Sequence, residues 1–78
     1  MDEDMARILA TGGTLASREL ARLHDLLLQH LPDNKELRLG IASAIAEIGL
    51  NVLKPAFEAH PALEAEFDRR MEKYGVVT

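Results

Sequence analysis

Apolar residues recur at helical spacing along most of the chain and are densest between Leu37 and Leu53, LRLGIASAIAEIGLNVL. At about 100° per residue they form two adjacent stripes. The first stripe contains Leu37, Ile41, Ala44, Ile45, Ile48 and Val52. The second contains Leu39, Ala42, Ala46, Leu50 and Leu53. Because a helix this apolar is normally covered on most sides, the pattern predicts the central helix of a small bundle.

A narrow polar strip, roughly 80° wide, separates the edges of these stripes. The strip contains Gly40, Ser43, Glu47, Asn51 and Lys54. One interpretation is the solvent-exposed edge of a mostly buried helix. The other is a surface for a protein partner, with Ser43, Glu47, Asn51 and Lys54 as the candidate contact residues.

The segment before the turn at Pro32 is predicted to form two helices. Asp2 can cap a short helix over about residues 3–10, and Gly12-Gly13 is expected to end it. Thr14, or alternatively Ser17, can then cap a second helix over about residues 15–31. The predicted core face of this second helix contains Ala16, Leu20, Leu23, Leu27 and Leu31.

The remaining helices follow Pro32-Asp33-Asn34, a turn in which Asp33 or Asn34 can act as the helix cap. So short a connection predicts antiparallel neighbours. The central helix is expected over about residues 35–53, with an end at Ile48 as the alternative because of Gly49. Pro55 predicts a break or kink, followed by a short turn at 55–59 with Phe57 pointing inward.

The last helix is predicted over about residues 61–74, starting at Pro61 and ending at the cap Gly75. Val76 is placed for the accompanying hydrophobic contact. The predicted inner face of this helix contains Leu63, Phe67, Met71 and Tyr74.

The fold class that these elements indicate is all-α: a single domain over residues 1–78, built as a small antiparallel bundle of four helices with a short first one. A domain of 78 residues has a marginal core by itself. With no cysteine for disulfides, oligomerisation is the remaining means of stabilisation. The apolar arcs exceed what the neighbouring helices can cover, which predicts a symmetric homodimer. The candidate interface residues are Leu39, Ala42, Ala46, Leu50, Leu53, Leu26 and Leu28.

The net charge of −4 disfavours nucleic acid and anionic membranes as partners. The acidic amino terminus is unlike a secretory signal, and Arg38, Glu47 and Asn51 interrupt the longest apolar run. We therefore expect a soluble, cytoplasmic protein that does not bind a membrane.

No set of residues has the spacing of a catalytic, metal or cofactor site. His24 and His30 lie on different helix faces, and Pro61 separates His60 from Glu64. Gly12-Gly13-Thr14 lacks the lysine and the strand of a phosphate-binding loop. The sequence therefore predicts no enzyme and no cofactor, but a small adaptor, regulator or inhibitor that binds another protein. The alternative is a DNA-associated regulator that uses a degenerate helix-turn-helix across residues 41–57 as a dimer. A third interpretation is a ligand pocket inside the aliphatic bundle.

Overall fold

The computed structural model describes residues 1–75, and these residues form three helices. Helix α1 is Glu3–His30. Helix α2 runs without interruption over Lys35–Ala59. Helix α3 is Pro61–Tyr74. The all-α class is confirmed, and the short first helix is not a separate element.

The prediction that Gly12-Gly13 ends a helix is wrong, because α1 passes through both glycines. Neither has a positive φ. A Cβ atom placed on Gly13 would lie 2.7 Å from Leu53 Cδ2. Gly13 is therefore present for close contact between α1 and α2, and this tertiary packing overrides its weak helix propensity. Thr14 lies inside α1 and is not a cap.

The amino-terminal caps of α1 and α2 match the sequence. Asp2 Oδ1 accepts a hydrogen bond of 2.7 Å from the backbone N–H of Met5. Asn34, rather than Asp33, caps α2, since its Oδ1 accepts from the N–H of Leu37 at 3.1 Å. These side chains satisfy backbone donors that the first helical turn leaves unpaired.

Regular α-helix in α2 ends at Ile48, but the helix continues as a π-helical turn over Gly49–Leu53 and then as α-helix over Lys54–Ala59. Of the break or kink expected at Pro55, the break is not formed. In the π turn the N–H of Lys54 donates to the carbonyl of Gly49, five residues earlier. Pro55 lacks an N–H and crowds the preceding turn of the helix. The π turn therefore lies directly before the position where proline interrupts α-helical hydrogen bonding.

Helix α3 begins with Pro61 and ends at Gly75, whose φ of 74° gives the left-handed cap that the sequence predicts. The expected contact of Val76 lies outside the described residues. Leu63 and Phe67 are buried as predicted, whereas Met71 and Tyr74 are exposed. The rings of Phe57 and Phe67 meet edge to face with centroids 5.6 Å apart.

The buried core lies at one end of the molecule, where all three helices meet. It contains Ala6, Ala10, Ala56, Leu63 and Phe67, with Leu9 and Phe57 packed against it. His60 Nε2 is 3.1 Å from the carbonyl of Met1, which joins the start of α1 to the α2–α3 turn.

Helices α1 and α2 form an antiparallel hairpin, because Gly13 adjoins Leu53 while His24 shares a cleft with Arg38. The inner positions of α1 repeat in alternating steps of four and three, as in a coiled coil. They are Ala6, Ala10, Gly13, Ser17, Leu20, His24 and Leu27, all buried or half-buried. The predicted core face was partly wrong: Ala16, Leu23 and Leu31 are exposed, because the continuous helix fixes its register from Ala6, Ala10 and Gly13.

The molecule is flat, with extents of 43 × 26 × 14 Å and a radius of gyration of 14.1 Å. A compact domain of this length has a radius of gyration of about 11.5 Å. The smallest extent is little more than one helix diameter of about 10–12 Å. The expectation that Leu37–Leu53 is buried on most sides is therefore wrong for the single chain, since none of its residues is fully buried.

Candidate interaction surfaces

The two apolar stripes of α2 differ in their surroundings. The first stripe is half-buried at Ile41, Ala44, Ile45, Ile48 and Val52, whereas Leu37 at its start is exposed. The second stripe, here called the α2 outer face, is Leu39, Ala42, Ala46, Leu50 and Leu53. Leu39 is 67% exposed and Leu50 is 60% exposed. Leu53 is half-buried against Gly13, so the remaining four residues form an exposed apolar surface.

Leu26 and Leu28, which the sequence places with this outer face, are both partly exposed. Residues two positions apart in an α-helix are separated by about 200° around its axis. The side chains of Leu26 and Leu28 therefore lie on opposite sides of α1. Ala21 and Asp25 line a cleft with Ala42. Leu28 lies on that side of α1 and therefore on the side of the α2 outer face, whereas Leu26 does not.

A second exposed apolar surface runs along α1 and was missed at the sequence level. We call it the α1 outer face; it contains Met5, Ile8, Leu15, Leu23 and Leu26. Ile8 is 63% exposed. Only an unbroken helix brings residues 5–26 onto one face. A helix end at Gly12-Gly13 separates Met5 and Ile8 from the three leucines, which is why the pattern was not recognised.

The polar strip of α2 is exposed along its whole length. Within it, Asn51 Nδ2 donates a hydrogen bond to Glu47 Oε2. Lys54 Nζ lies 3.9 Å from Glu58 Oε1. Ser43 is accessible beside them. The strip therefore presents polar groups already ordered along one side of the helix.

At the loop end of the hairpin, a cleft of about 230 Å³ is lined by His24, Lys35, Arg38, Leu39 and Ala42. We call it the cationic cleft. Among the described residues, neither Lys35 nor Arg38 forms an ion pair. The Nε atom of Arg38 is buried without a hydrogen-bond partner. Asp25 lines the neighbouring cleft. The cleft thus combines an apolar wall with basic groups that can bind a carboxylate.

The opposite end of α2 carries a groove with two carboxylates, here called the acidic groove. Its lining residues are Gly49, Leu53, Lys54, Phe57, Glu58, Pro61 and Glu64. Leu53 belongs to the α2 outer face, so Glu58 lies beside one end of that face, whereas Arg38 lies beside the other end, next to Leu39. The α2 outer face is therefore flanked by basic and acidic groups at its two ends.

A separate ion-pair network joins α1 to α3. The guanidinium of Arg7 donates a hydrogen bond to Glu66, which also lies 3.6 Å from Arg70. The hydrogen bond from Arg7 holds the pKa of the Glu66 carboxyl below its ordinary value. This network fixes α3 at the core end and leaves the other surfaces of the hairpin uncovered.

The accessible surface of the chain is 5378 Å². A compact monomer of 8.6 kDa exposes about 4,700 Å². The excess of about 700 Å² is close to the roughly 800 Å² that one partner contributes to a standard protein–protein interface. Large aliphatic side chains are exposed on both outer faces.

The segment Lys35–Ala59 is long and apolar enough to cross a membrane by length and composition alone, and little of it is buried in the single chain. Core helices of soluble proteins pass the same test. Within residues 1–75, no group of three His, Asp or Glu side chains is arranged to hold a metal ion. At Gly49 the helix continues, so the turn that a helix-turn-helix requires is not formed there.

Comparison with family models, with curated proteins and with solved structures gives no match to this chain.

Proposed function

We propose that this chain is a non-enzymatic protein-interaction module that works as a homodimer in the cytoplasm. Two copies associate through the α2 outer face, and the dimer binds another protein as an adaptor, regulator or inhibitor. The proposal is carried by one observation: the chain is a flat hairpin whose most apolar helix has no fully buried residue between Lys35 and Leu53.

Self-association is favoured because it covers apolar surface that water otherwise contacts. Burial of exposed leucine side chains is favourable by about 25 cal/mol per Å² of apolar area. This gain is opposed by the loss of translational and rotational freedom and by the ordering of side chains on association.

We choose the α2 outer face over the α1 outer face because it combines large and small residues. Leu39 and Leu50 project from it, while Ala42 and Ala46 allow a second helix to approach closely. The α1 outer face instead carries Glu19 at its centre, paired with Arg22. A charged pair at the centre of an interface opposes burial.

The polar strip is our candidate surface for the other protein, with Ser43, Glu47, Asn51 and Lys54 as contact residues. It borders the α2 outer face, so dimer formation leaves it at the rim, where hydrogen bonds determine specificity. Affinity capture with wild type and Glu47→Lys tests this role. We expect a bound protein to be lost in Glu47→Lys and retained in the matched charge reversal Glu72→Lys on α3. Equal capture by both variants would reject the polar strip as the contact surface.

Sedimentation equilibrium of two matched variants tests the dimer surface. Leu50 and Ile8 are exposed to similar extents, 60% and 63%, so arginine at either position leaves the single-chain packing intact. We expect Leu50→Arg to be a monomer and Ile8→Arg to remain a dimer. The reverse result would place the interface on α1. A wild-type chain that is monomeric in solution but floats with neutral lipid vesicles would show that a membrane covers α2 instead.

A further inference from the structure

We infer the register of the dimer: two α2 helices pack antiparallel with Ala46 on the twofold axis, and Glu58 of each chain enters the cationic cleft of the other. This inference rests on the proposed homodimer and adds its geometry. It is carried by the spacing of the α2 outer face and by the position of opposite charges at its two ends.

The exposed positions 42, 46 and 50 of the α2 outer face are spaced equally on both sides of Ala46. Leu39 has no exposed counterpart at the other end, because Leu53 packs against Gly13. In an isologous contact, residue i meets residue j of the second copy and j meets i, so positions spaced equally about the twofold axis pair with one another. With Ala46 on the axis, Ala42 meets Leu50 of the second copy. A small residue therefore receives a large one at two symmetric places.

The small side chain at the axis also permits close approach. Ala46 meets only itself, and no bulky residue keeps the helix axes apart there. Interaxial distances of about 8–10 Å depend on the residues at the contact. Leu53 packs against Gly13 of its own chain and does not reach the second copy. In the dimer, Leu39 therefore meets the residues of the second copy's acidic groove.

The same register brings the charged ends together. At about 1.5 Å per residue, Arg38 lies about 12 Å along α2 from Ala46, and Lys35 lies about 17 Å from it. Glu58 lies about 18 Å from Ala46 in the opposite direction. Reversal of the second helix therefore brings its Glu58 level with Lys35 and within side-chain reach of Arg38.

This arrangement gives Arg38 a partner that it lacks in the single chain. Among the described residues Arg38 forms no ion pair, and its guanidinium acquires a carboxylate in the dimer. Glu58 then lies between Arg38 of the partner subunit and its own Lys54, now 3.9 Å away. Such pairs at the edge of an interface determine orientation and register. The parallel arrangement would bring like charges together at both ends.

Single cysteines test the register directly, because the natural chain has none. We expect Ala46→Cys to form a disulfide-linked dimer on mild oxidation, since a residue on the twofold axis meets the short Cβ–Cβ range of about 3.5–4.5 Å that a disulfide needs. Ala42→Cys, which meets Leu50, and Ala16→Cys on α1 are expected to cross-link at least about tenfold more slowly. Equal cross-linking at positions 42 and 46, or none at 46 in a dimeric protein, would overturn the register.

Charge reversal provides an independent test by sedimentation equilibrium at low salt. We expect Arg38→Glu and Glu58→Arg each to raise the dimer dissociation constant about tenfold, and the double variant to return it to within about threefold of wild type. The matched control Arg69→Glu, on α3, is expected to change nothing.

The outcomes separate this inference from the proposed function. A wild-type chain that is monomeric rejects both. A dimer that dissociates with Leu50→Arg but is insensitive to both charge reversals retains the proposed function and rejects the contact between Glu58 and the cationic cleft.

Discussion

Alanine at Gly12 tests the continuity of α1 most simply. A Cβ atom at Gly12 would point into open space, with no atom within 4 Å outside the local helical backbone. Alanine at this position therefore introduces no clash. Glycine inside a helix is about 1 kcal/mol less favourable than alanine. We therefore expect Gly12→Ala to raise the free energy of unfolding by about 0.5–1 kcal/mol, which is about 2–8 °C in Tm for a domain of this size.

Alanine at the neighbouring Gly13 is expected to have a different effect on stability. A Cβ on Gly13 lies 2.7 Å from Leu53 Cδ2 and 3.2 Å from Val52 Cγ1, so both side chains must shift. Leu53 Cδ2 is the end of a flexible side chain and Val52 has to yield by only a few tenths of an ångström, so the shift offsets part or all of the gain in helix propensity. We expect Gly13→Ala to be less stable than Gly12→Ala.

The assay is urea unfolding followed by far-ultraviolet circular dichroism, at one fixed protein concentration because self-association contributes to stability. The result that would refute the reasoning is a loss of more than about 1 kcal/mol in Gly12→Ala. Such a loss is expected when glycine adopts a positive φ that alanine cannot adopt without strain. It would mean that α1 ends at Gly12-Gly13.

Two further outcomes follow from the core and from the ion pairs. Phe67 is 4% exposed, so Phe67→Ala is expected to lower the free energy of unfolding by about 3–5 kcal/mol and to unfold much of the protein at 25 °C, as measured by circular dichroism. Met71→Ala, on the exposed side of α3, is expected to change this free energy by less than about 1 kcal/mol. Equal effects of the two variants would contradict the placement of the core. Arg7 lowers the pKa of the Glu66 carboxyl in the folded protein. The contribution of this ion pair to folding stability is therefore complete above 4.5, the ordinary pKa of a glutamate, and it disappears as the pH falls through the lower pKa of the folded state. In thermal unfolding, Glu66→Gln is therefore expected to lose less stability on acidification than wild type, and parallel pH profiles would contradict this.

Helix type and caps were accessible from sequence because they depend on local chemistry. Asp2, Asn34 and Gly75 act within one turn of their own positions, and each forms the cap that its residue type favours. The buried pair Leu63 and Phe67 was likewise visible from i, i+4 spacing. Short-range patterns of this kind do not require knowledge of the neighbouring helix.

The errors arose where tertiary contact overrides local preference. Gly12-Gly13 is a strong stop signal in isolation, but Gly13 is held in the helix by its contact with Leu53. Pro55 is a strong break signal, but the π turn at Gly49–Leu53 accommodates it. Both errors shortened helices, and the error at Gly12-Gly13 hid the α1 outer face.

The prediction of a central buried helix shows a different limit. Hydrophobic pattern indicates which residues avoid water, but it does not specify whether the covering surface belongs to the same chain. Leu39 and Leu50 fit a buried position by pattern and are exposed in the single chain. The pattern of α2 is therefore compatible with a dimer, but its register required the positions of Arg38 and Glu58 from the structure.

Sedimentation equilibrium of the wild-type chain at tens of micromolar tests the central claim most directly. The expected result is a mass of twice the 8.6 kDa of the single chain, with dissociation only on dilution. A single species of 8.6 kDa at that concentration would contradict the claim that a second copy covers the α2 outer face.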